Sequence, residues 1–505
     1  MNSAQPPFTH RRFVRRGGAA YKLDGCTCTM DVPMSEQFDL IVIGSGAAAS
    51  SVAYPCREAG WRVAVIDHRP LGGTCSLRGC DPKKVLVGAS EALEYARRLT
   101  GQGLAGEVRI DWPALMRRKR RFTDPVPEER ARAFAAVGIA TTTGRASFVV
   151  PDALRVGGDT LRFRHAVIAA GAEPVPLGID GEQHLVSSER FLNLEALPAR
   201  LVFVGGGYIA AEFSRFPART GGQVTVLQRR PHMLPAFDPD LVEMLMERFR
   251  ALGIDVRTGA TAEAIEPHGR SVAVRARTPK GMLTIEADRA VHAAGRAPDF
   301  ASLNPADIAT EKGRLRLNEF LQGVSNPAVY AAGDAASAGP PLTPVAGRDG
   351  AIIAANLLSG NHRRPDYHGV PSVAVTVPPI ASVGLSEAAA RSRFSNLSVR
   401  HERGSDWYTA RQAAEPVYGY KTLVDRDTDA ILGAHLVGPH AEEVINLFAL
   451  AIRTNLRAEQ MSDTVFAYPT SSPRTSATCS AELVLRRPRR RRQPSSRQRS
   501  SPAAG

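Results

Sequence analysis

FDLIVIGSGAAASSVAYPCREAGWRVAVIDH, residues 38–68, decides the fold. Phe38 to Ile43 is an apolar run closed by a glycine, the pattern of a short buried strand. Gly44-x-Gly46-x-x-Ala49 then reads as a tight turn into a helix, and Arg62 to Ile66 as a second strand ending at Asp67. Each position has a physical reason: Gly44 permits the turn, Gly46 lets a pyrophosphate approach the backbone, and Ala49 keeps helix and strand close. The helix N-terminus, entered at Ala47, then faces the phosphates, and Asp67 is placed to accept from a ribose hydroxyl. One glycine-rich hexapeptide is a weak signal; the complete strand, turn, helix, strand and terminal acid is a specific one.

The same unit recurs in RLVFVGGGYIAAEFSRFPARTGGQVTVLQRRPHML, residues 200–234. Gly205-x-Gly207-x-x-Ala210 is its turn and Gln223 to Leu227 its second strand. The ribose position is here Gln228, followed by Arg229 and Arg230. A neutral residue beside two guanidiniums removes repulsion and offers bidentate donors to a 2′-phosphate, so NADPH is expected over NADH. The alternative is that these arginines are solvated surface charge. Three strand-to-glycine segments, HAVIAAGAEP with Gly171, AVHAAGRAPD with Gly295 and VYAAGDAA with Gly333, suit chains that return to the edge of a nucleotide site. Two nucleotide folds in one chain imply two nucleotides and an electron path between them.

Between the units lies LGGTCSLRGCDPKKVL, residues 71–86. Two cysteines five apart can bridge only if their α-carbons come within about 4.4–6.8 Å, and a regular helix would separate them by ~7.5 Å along its axis. The turn between Cys75 and Cys80 is therefore expected to be distorted, with Gly79 allowing it. Cys75 stands at the start of the predicted helix, where the dipole is expected to favour its thiolate. The competing reading is a pair of buried free thiols.

At these motifs the chain resembles the flavoprotein disulfide reductases: glutathione reductase, dihydrolipoamide dehydrogenase, mercuric reductase and relatives. The likeness runs from about Met34 to Thr470. It implies an α/β fold with two Rossmann-like domains and a C-terminal α+β dimerisation domain, FAD on the first unit, NAD(P)H on the second, and a homodimer. Expected boundaries are 34–172 for the FAD domain, 173–298 for the NAD(P)H domain, 299–367 for a central FAD segment and 368–473 for the interface domain. The resemblance assigns Gly44, Gly46, Asp67, Thr74, Asp334 and Thr343 to FAD contact and places Gly205, Gly207, Tyr208, Arg229 and Arg230 on the nicotinamide nucleotide unit, while Ala47, Gly73, Gly171, Gly295 and Gly333 are further residues expected at a cofactor. Tyr208 matches the aromatic that covers the nicotinamide pocket. Cys80 matches the thiol that stacks on the flavin and Cys75 the thiol that attacks an external disulfide, while Lys83 and Glu212 match an ion pair beside flavin N5. The implied route is hydride from NADPH to FAD, electrons to Cys75 and Cys80, then thiol exchange with a small disulfide. Dihydrolipoamide dehydrogenase is the rival disfavoured by Gln228-Arg229-Arg230.

The chain departs from that pattern at its end. Where most members carry His-Pro-Thr and a Glu three residues on, VFAYPTSSPRTS has Tyr468 and Pro473. A phenol with pKa about 10 can donate a proton but is a poor base at neutral pH, which keeps open an NADPH diaphorase acting on quinones or metal ions. TSATCS, residues 475–480, back-translated and shifted by one base, spells Asp-Ile-Arg-Tyr-Met-Leu, the continuation expected after Tyr-Pro-Thr. Residues after about Ser472 accordingly read as an out-of-frame translation, and Met34 as a native start.

That reading also accounts for the charge. The 505 residues carry 64 Lys+Arg against 50 Asp+Glu, a formal +14. Residues 474–505 hold nine arginines and one acid, and residues 1–33 five Lys/Arg against two acids, leaving +3 for the body. Both ends, 1–33 and 474–505, read as disordered extensions. The tail's arginines have no interleaved aromatic residues, so nucleic acid is not an expected partner. No apolar run approaches the ~18–20 residues of a membrane span. Six cysteines are too few for a disulfide scaffold, and the basic N-terminus lacks an apolar signal core, so a cytoplasmic enzyme is expected. Cys26-x-Cys28 has the wrong spacing for zinc, and no metal site is expected.

Overall fold

The computed structural model describes residues 37–298, 300, 303 and 309–467. Met34, Cys26, Cys28, Tyr468, Cys479 and the segment read as out of frame lie outside the described residues.

The first sheet grows from the apolar run. β1 (Gln37–Ile43) pairs in parallel with β2 (Val63–Asp67), Leu40 opposite Val63, across α1 (Ala47–Glu58). β3 (Ala140–Thr143), β4 (Ala146–Val150), β5 (Ala153–Val156) and β6 (Asp159–Ile168) complete the order β3-β2-β1-β6-β5-β4, with strand Val329–Ala331 added in parallel to β6. β1 and β2 are buried nearly throughout because α1 covers them, which is why they read as continuous rather than alternating apolar runs. α1 in turn packs on the helix Thr343–Ser359, with Ala48 and Ser51 at the contact. The contact is close: a β-carbon on Gly350 would lie 2.5 Å from the Ala48 carbonyl oxygen. After β2 the chain turns into α2 (Gly73–Arg78) and the 20-residue α3 (Cys80–Leu99).

The second sheet repeats the design: β7 (Arg200–Val204), β8 (Gln223–Gln228), β9 (Ile254–Thr258) and β10 (Arg289–His292), all parallel, in the order β9-β8-β7-β10. A three-stranded meander (Thr261–His268, Ser271–Thr278, Gly281–Ala287) is inserted before β10. The turn glycines are geometrically equivalent: Gly44 has φ +108° and Gly205 φ +107°, and a β-carbon would meet the carbonyl oxygens of Ala169 and Ala293 at 2.3 and 2.4 Å. Both positions thus need glycine for the backbone angle and for the approach of the neighbouring strand. The helix after the second turn is split into α4 (Tyr208–Phe213) and α5 (Arg215–Arg219). Pro217 explains the split, because it has no N–H to offer the carbonyl of Phe213.

The chain closes with an antiparallel sheet of five strands, Ser372–Ala374, Ile380–Gly384, Ile431–Val437, Gly419–Asp425 and Leu397–Arg403 in spatial order, with helix Ala441–Arg453 packed on it. The whole is α/β, two parallel-sheet units followed by an α+β unit. Among the described residues no helix is long and apolar enough to cross a membrane.

Charged groups buried between the units hold them in register. Glu94, near the C-terminal end of α3, is 1% exposed and faces Arg215 at 3.7 Å, Arg248 at 2.8 Å and Arg219 in closer contact still. The long helix that begins at Cys80 is thereby tied to the second nucleotide unit. Truncating Glu94 would leave several desolvated guanidiniums without their carboxylate, a change that costs about 3–5 kcal/mol. Glu94→Ala is expected to lower the urea midpoint accordingly; an unchanged midpoint would show that the arginines are satisfied elsewhere.

Candidate functional site

Both dinucleotide helices start without a side-chain cap: the residues before their first turns are Gly46 and Gly207, and neither first turn contains an acid. Their N-terminal N–H groups are left for an external anion, and the dipole favours negative charge there. Each opens onto a cleft. The first, about 440 Å³, is lined by Gly44, Gly46, Ala47, Asp67, Gly73, Thr74, Cys75, Cys80, Gly171, Gly333, Asp334 and Thr343 among others. All twelve are among the cofactor-binding or redox residues expected from the sequence. The second, about 490 Å³, is lined among others by Gly205, Gly207, Tyr208, Arg229 and Arg230 of the second nucleotide unit and by Gly295, expected at a cofactor.

The first cleft fits an anionic dinucleotide. Gly46 and Gly73 form its narrow floor, since a β-carbon on Gly73 would lie 2.5 Å from the Gly46 α-carbon. Asp67 is oriented by Ser45 Oγ at 2.6 Å and by the Arg69 N–H at 3.0 Å, which leaves lone pairs free for a sugar hydroxyl. Arg78 reaches the same cleft with its Nε buried and without a hydrogen-bond partner, the Glu189 carboxylate standing 3.6 Å away. Arg69, Arg145 and Arg296 also line it, Arg69 being paired with Glu189 at 2.8 Å and Glu173 at 3.0 Å. Burial pushes the Asp334 carboxyl up, against the opposing pull of Arg296. Sequence reasoning missed Ser45, Arg69, Arg78, Arg145 and Arg296; Arg78 stands inside the Cys-x4-Cys loop and Arg296 inside AAGRAPD, so both were signalled by the motifs that contain them.

In the second cleft Arg229 and Arg230 are exposed and, among the described residues, make no ion pair. The Gln228 amide is committed elsewhere, donating to the His232 carbonyl at 2.7 Å. Tyr208 packs edge-on against Phe237, with ring centroids 5.5 Å apart, and burial pushes its phenol up to about 12.

The two cysteines sit at the distorted turn. α2 ends at Gly79, whose φ −140° and ψ −111° break the helix before Cys80 starts α3. The approach is tight, a β-carbon on Gly79 falling 3.0 Å from the Thr74 carbonyl oxygen. Both cysteines are free thiols in the structure, and Cys80 Sγ lies 3.8 Å from Thr343 Oγ1. Their acidities are opposite. The hydrogen bond from Cys75 pulls the Cys80 thiol down to about 6, against burial and with help from the Lys83 charge. The same hydrogen bond, with burial, pushes the Cys75 thiol well up. The expectation that a helix dipole favours the Cys75 thiolate is therefore corrected: the helix at Cys75 has only six residues, and the long helix starts at Cys80, which takes the negative charge.

Lys83, one turn into α3, places Nζ 2.8 Å from Glu212 Oε2 on α4. Glu212 Oε1 accepts from the Val375 N–H of the C-terminal unit at 3.0 Å. The pair ties α3 to α4, and neither residue lines either cleft. Tyr468 is outside the described residues.

Comparison with known proteins agrees with this arrangement. The family model "Pyridine nucleotide-disulphide oxidoreductase" matches residues 38–350, and the dimerisation-domain model of the same name matches 370–477. The chain is 32% identical over 449 residues to mercuric reductase of Staphylococcus aureus, covering 88% of this chain and 82% of that protein. It is 31% identical to glutathione reductase of Burkholderia cepacia, covering 86% and 96% of the two chains. Among solved structures it is similar to the HOCl-induced flavoprotein disulfide reductase RclA from Escherichia coli, with TM-score 0.77, 27% identity and coverage of 88% and 99%. The Cu(II) complex of that protein is similar too, with TM-score 0.78, 28% identity and coverage of 89% and 99%.

The Cys80 assignment has a direct readout. In the reduced protein the ultraviolet absorbance of a thiolate should be present above pH about 6 and be lost below it. Because this pKa is depressed by folding, the associated stability is complete above the unfolded thiol's range and is lost as the pH falls through about 6. Lys83→Met combined with Glu212→Gln, which leaves no buried carboxylate unpaired, should move the midpoint up; an unmoved midpoint would separate Lys83 from the thiol.

Proposed function

The chain belongs to the pyridine nucleotide-disulphide oxidoreductases, and we propose that it passes electrons from NADPH through the Cys75 and Cys80 thiols to a small-molecule disulfide. Enzymes of this family use FAD and NAD(P)H, and the dimerisation segment supports a homodimer. The observation that carries the reading is the pair of free thiols, Cys75 and Cys80, both lining the first cleft on either side of the helix break at Gly79.

Bound in the two clefts, the cofactors would supply two-electron transfer from nicotinamide through flavin to sulfur. The protein's own groups then have distinct roles. The N–H groups after Gly46 and Gly207 hold pyrophosphates, and Asp67 holds a ribose. Arg229 and Arg230, free of ion pairs among the described residues, hold a 2′-phosphate and so select NADPH. Tyr208 covers the nicotinamide pocket until the nucleotide enters. Lys83 is held beside the thiols by Glu212 at 2.8 Å. Thr343 orients Cys80, which carries the thiolate, and Cys75 attacks the external disulfide. Tyr468, standing where most relatives have histidine, donates a proton to the departing thiol. The protein acts in the cytoplasm.

A second reading, with a metal ion or quinone as acceptor, is favoured by the likeness to mercuric reductases and to a protein studied as its Cu(II) complex. Cys75→Ser separates the thiol route from direct flavin oxidation: disulfide reduction is expected to vanish while NADPH-dependent quinone reduction persists. Undiminished disulfide turnover by that variant would overturn the proposal. Replacing Arg229 and Arg230 by Ala should lower kcat/KM for NADPH by about 10–100-fold, the worth of a charge-assisted hydrogen bond, and leave NADH nearly unaffected. Equal losses with both nucleotides would return these arginines to the solvated surface.

A further inference from the structure

Cys75 has a neighbour that neither the flavin cleft nor the ion pair uses. Asp81, the second residue of α3, places Oδ1 4.0 Å from Cys75 Sγ. It is exposed, it is absent from the lining of the first cleft, and among the described residues no basic side chain pairs with it. The cations around it are committed elsewhere. Lys83 is 2.8 Å from Glu212, Lys84 3.6 Å from Glu91 and Arg78 3.6 Å from Glu189. The solvent side of Cys75 therefore carries an uncompensated carboxylate one residue from the Cys80 thiolate.

We propose that Asp81 is a specificity-determining residue that biases Cys75 toward disulfides bearing positive charge near the reacting sulfur and against anionic ones such as oxidised glutathione. This rests on the thiol route proposed above and names its substrate class. In that route the Cys75 sulfur attacks one sulfur of the acceptor, the acceptor S–S bond breaks and a mixed disulfide forms. The first thiolate leaves with a proton from Tyr468, which regains one from Cys75 as that thiol attacks. Cys80 then attacks Cys75, closing the Cys75–Cys80 bond and expelling the second thiolate, which takes its proton from water. The two electrons lost by the thiol pair are those gained by the acceptor. Each attack brings an acceptor's charged group close to Asp81, and unit charges about 4 Å apart in a water-like dielectric alter a rate about five-fold.

The test uses the full-length, flavin-loaded protein and three disulfides of similar size: cystamine (dication), 2-hydroxyethyl disulfide (neutral) and dithiodipropionate (dianion). Wild type should show kcat/KM falling in that order. Asp81→Asn should lower the cystamine to dithiodipropionate ratio about five-fold or more, Asp81→Lys should invert the order, and the neutral disulfide should change little. A second arm needs no turnover: in the NADPH-reduced protein, alkylation of Cys75, localised by peptide mass, is timed with iodoacetate and iodoacetamide. Asp81→Asn should raise the iodoacetate to iodoacetamide rate ratio about five-fold, and Asp81→Ser provides the same neutralisation should the Asn variant fold poorly. If Asp81 serves only to stabilise the first turn of α3, both ratios stay at their wild-type values, and the proposal is overturned. Should no disulfide be turned over while the alkylation ratio still moves, the field at Cys75 stands and the disulfide-reductase reading falls.

Discussion

Glu212 is the carboxylate on which the assembly turns. It is nearly fully buried, and a carboxylate in that setting stays charged only with a cation and hydrogen bonds around it. Lys83 supplies the first at 2.8 Å and the Val375 N–H the second at 3.0 Å. Those partners come from α3, which follows the first nucleotide unit, and from the C-terminal sheet, while Glu212 comes from the second unit. Three separately wound pieces of chain must be in register for one carboxylate to be satisfied. The same solution recurs at Glu94 with its arginines, and at Lys421, which is 2% exposed and lies 2.9 Å from both Asp238 and Glu387. The units are thus docked by buried ion pairs, whose geometry tolerates little sliding, as well as by apolar surface.

That rigidity also fixes the different surroundings of the two cysteines. Two chemically equal cysteines differ because Gly79 breaks the helix between them. One sulfur is left on a short helical segment and the other at the head of 20 residues of α3. Hydrogen bonding between the thiols and the charge of Lys83 place the negative charge on Cys80. A slip of α3 would move Lys83, Cys80 and Asp81 together. The tie at Glu94, far along the helix, therefore bears on chemistry at its start.

Much of this was legible in residue order because it is local. A strand, a Gly-x-Gly turn and a helix are fixed by neighbours a few residues apart, so both nucleotide units, their glycines and Asp67 could be read directly. The distortion at Gly79 followed from the reach of two side chains. The strand-to-glycine echoes were also readable, and Gly171, Gly295 and Gly333 do line the clefts. Less legible were groups whose meaning lies in a distant partner. Arg78 reads as one more charge in a loop until Glu189 and the cleft are seen beside it. Asp81 reads as a helix-start acid until Cys75 is found 4.0 Å away. The motif alone points to a thiolate on Cys75 because helix length on either side of Gly79 is not one of its local properties.

Residue order alone therefore established two dinucleotide folds, two cysteines astride a distorted turn between them and a C-terminal unit of different pattern. Each of these is carried by short-range sterics and periodicity, which act wherever the residues stand. The direction in which each thiol's acidity is shifted, which cations are free of ion pairs among the described residues and which carboxylate faces Cys75 came only with the tertiary structure. Those are electrostatic questions. Their answers depend on burial and on charges brought together from opposite ends of the chain, and such distances exist only once it is folded.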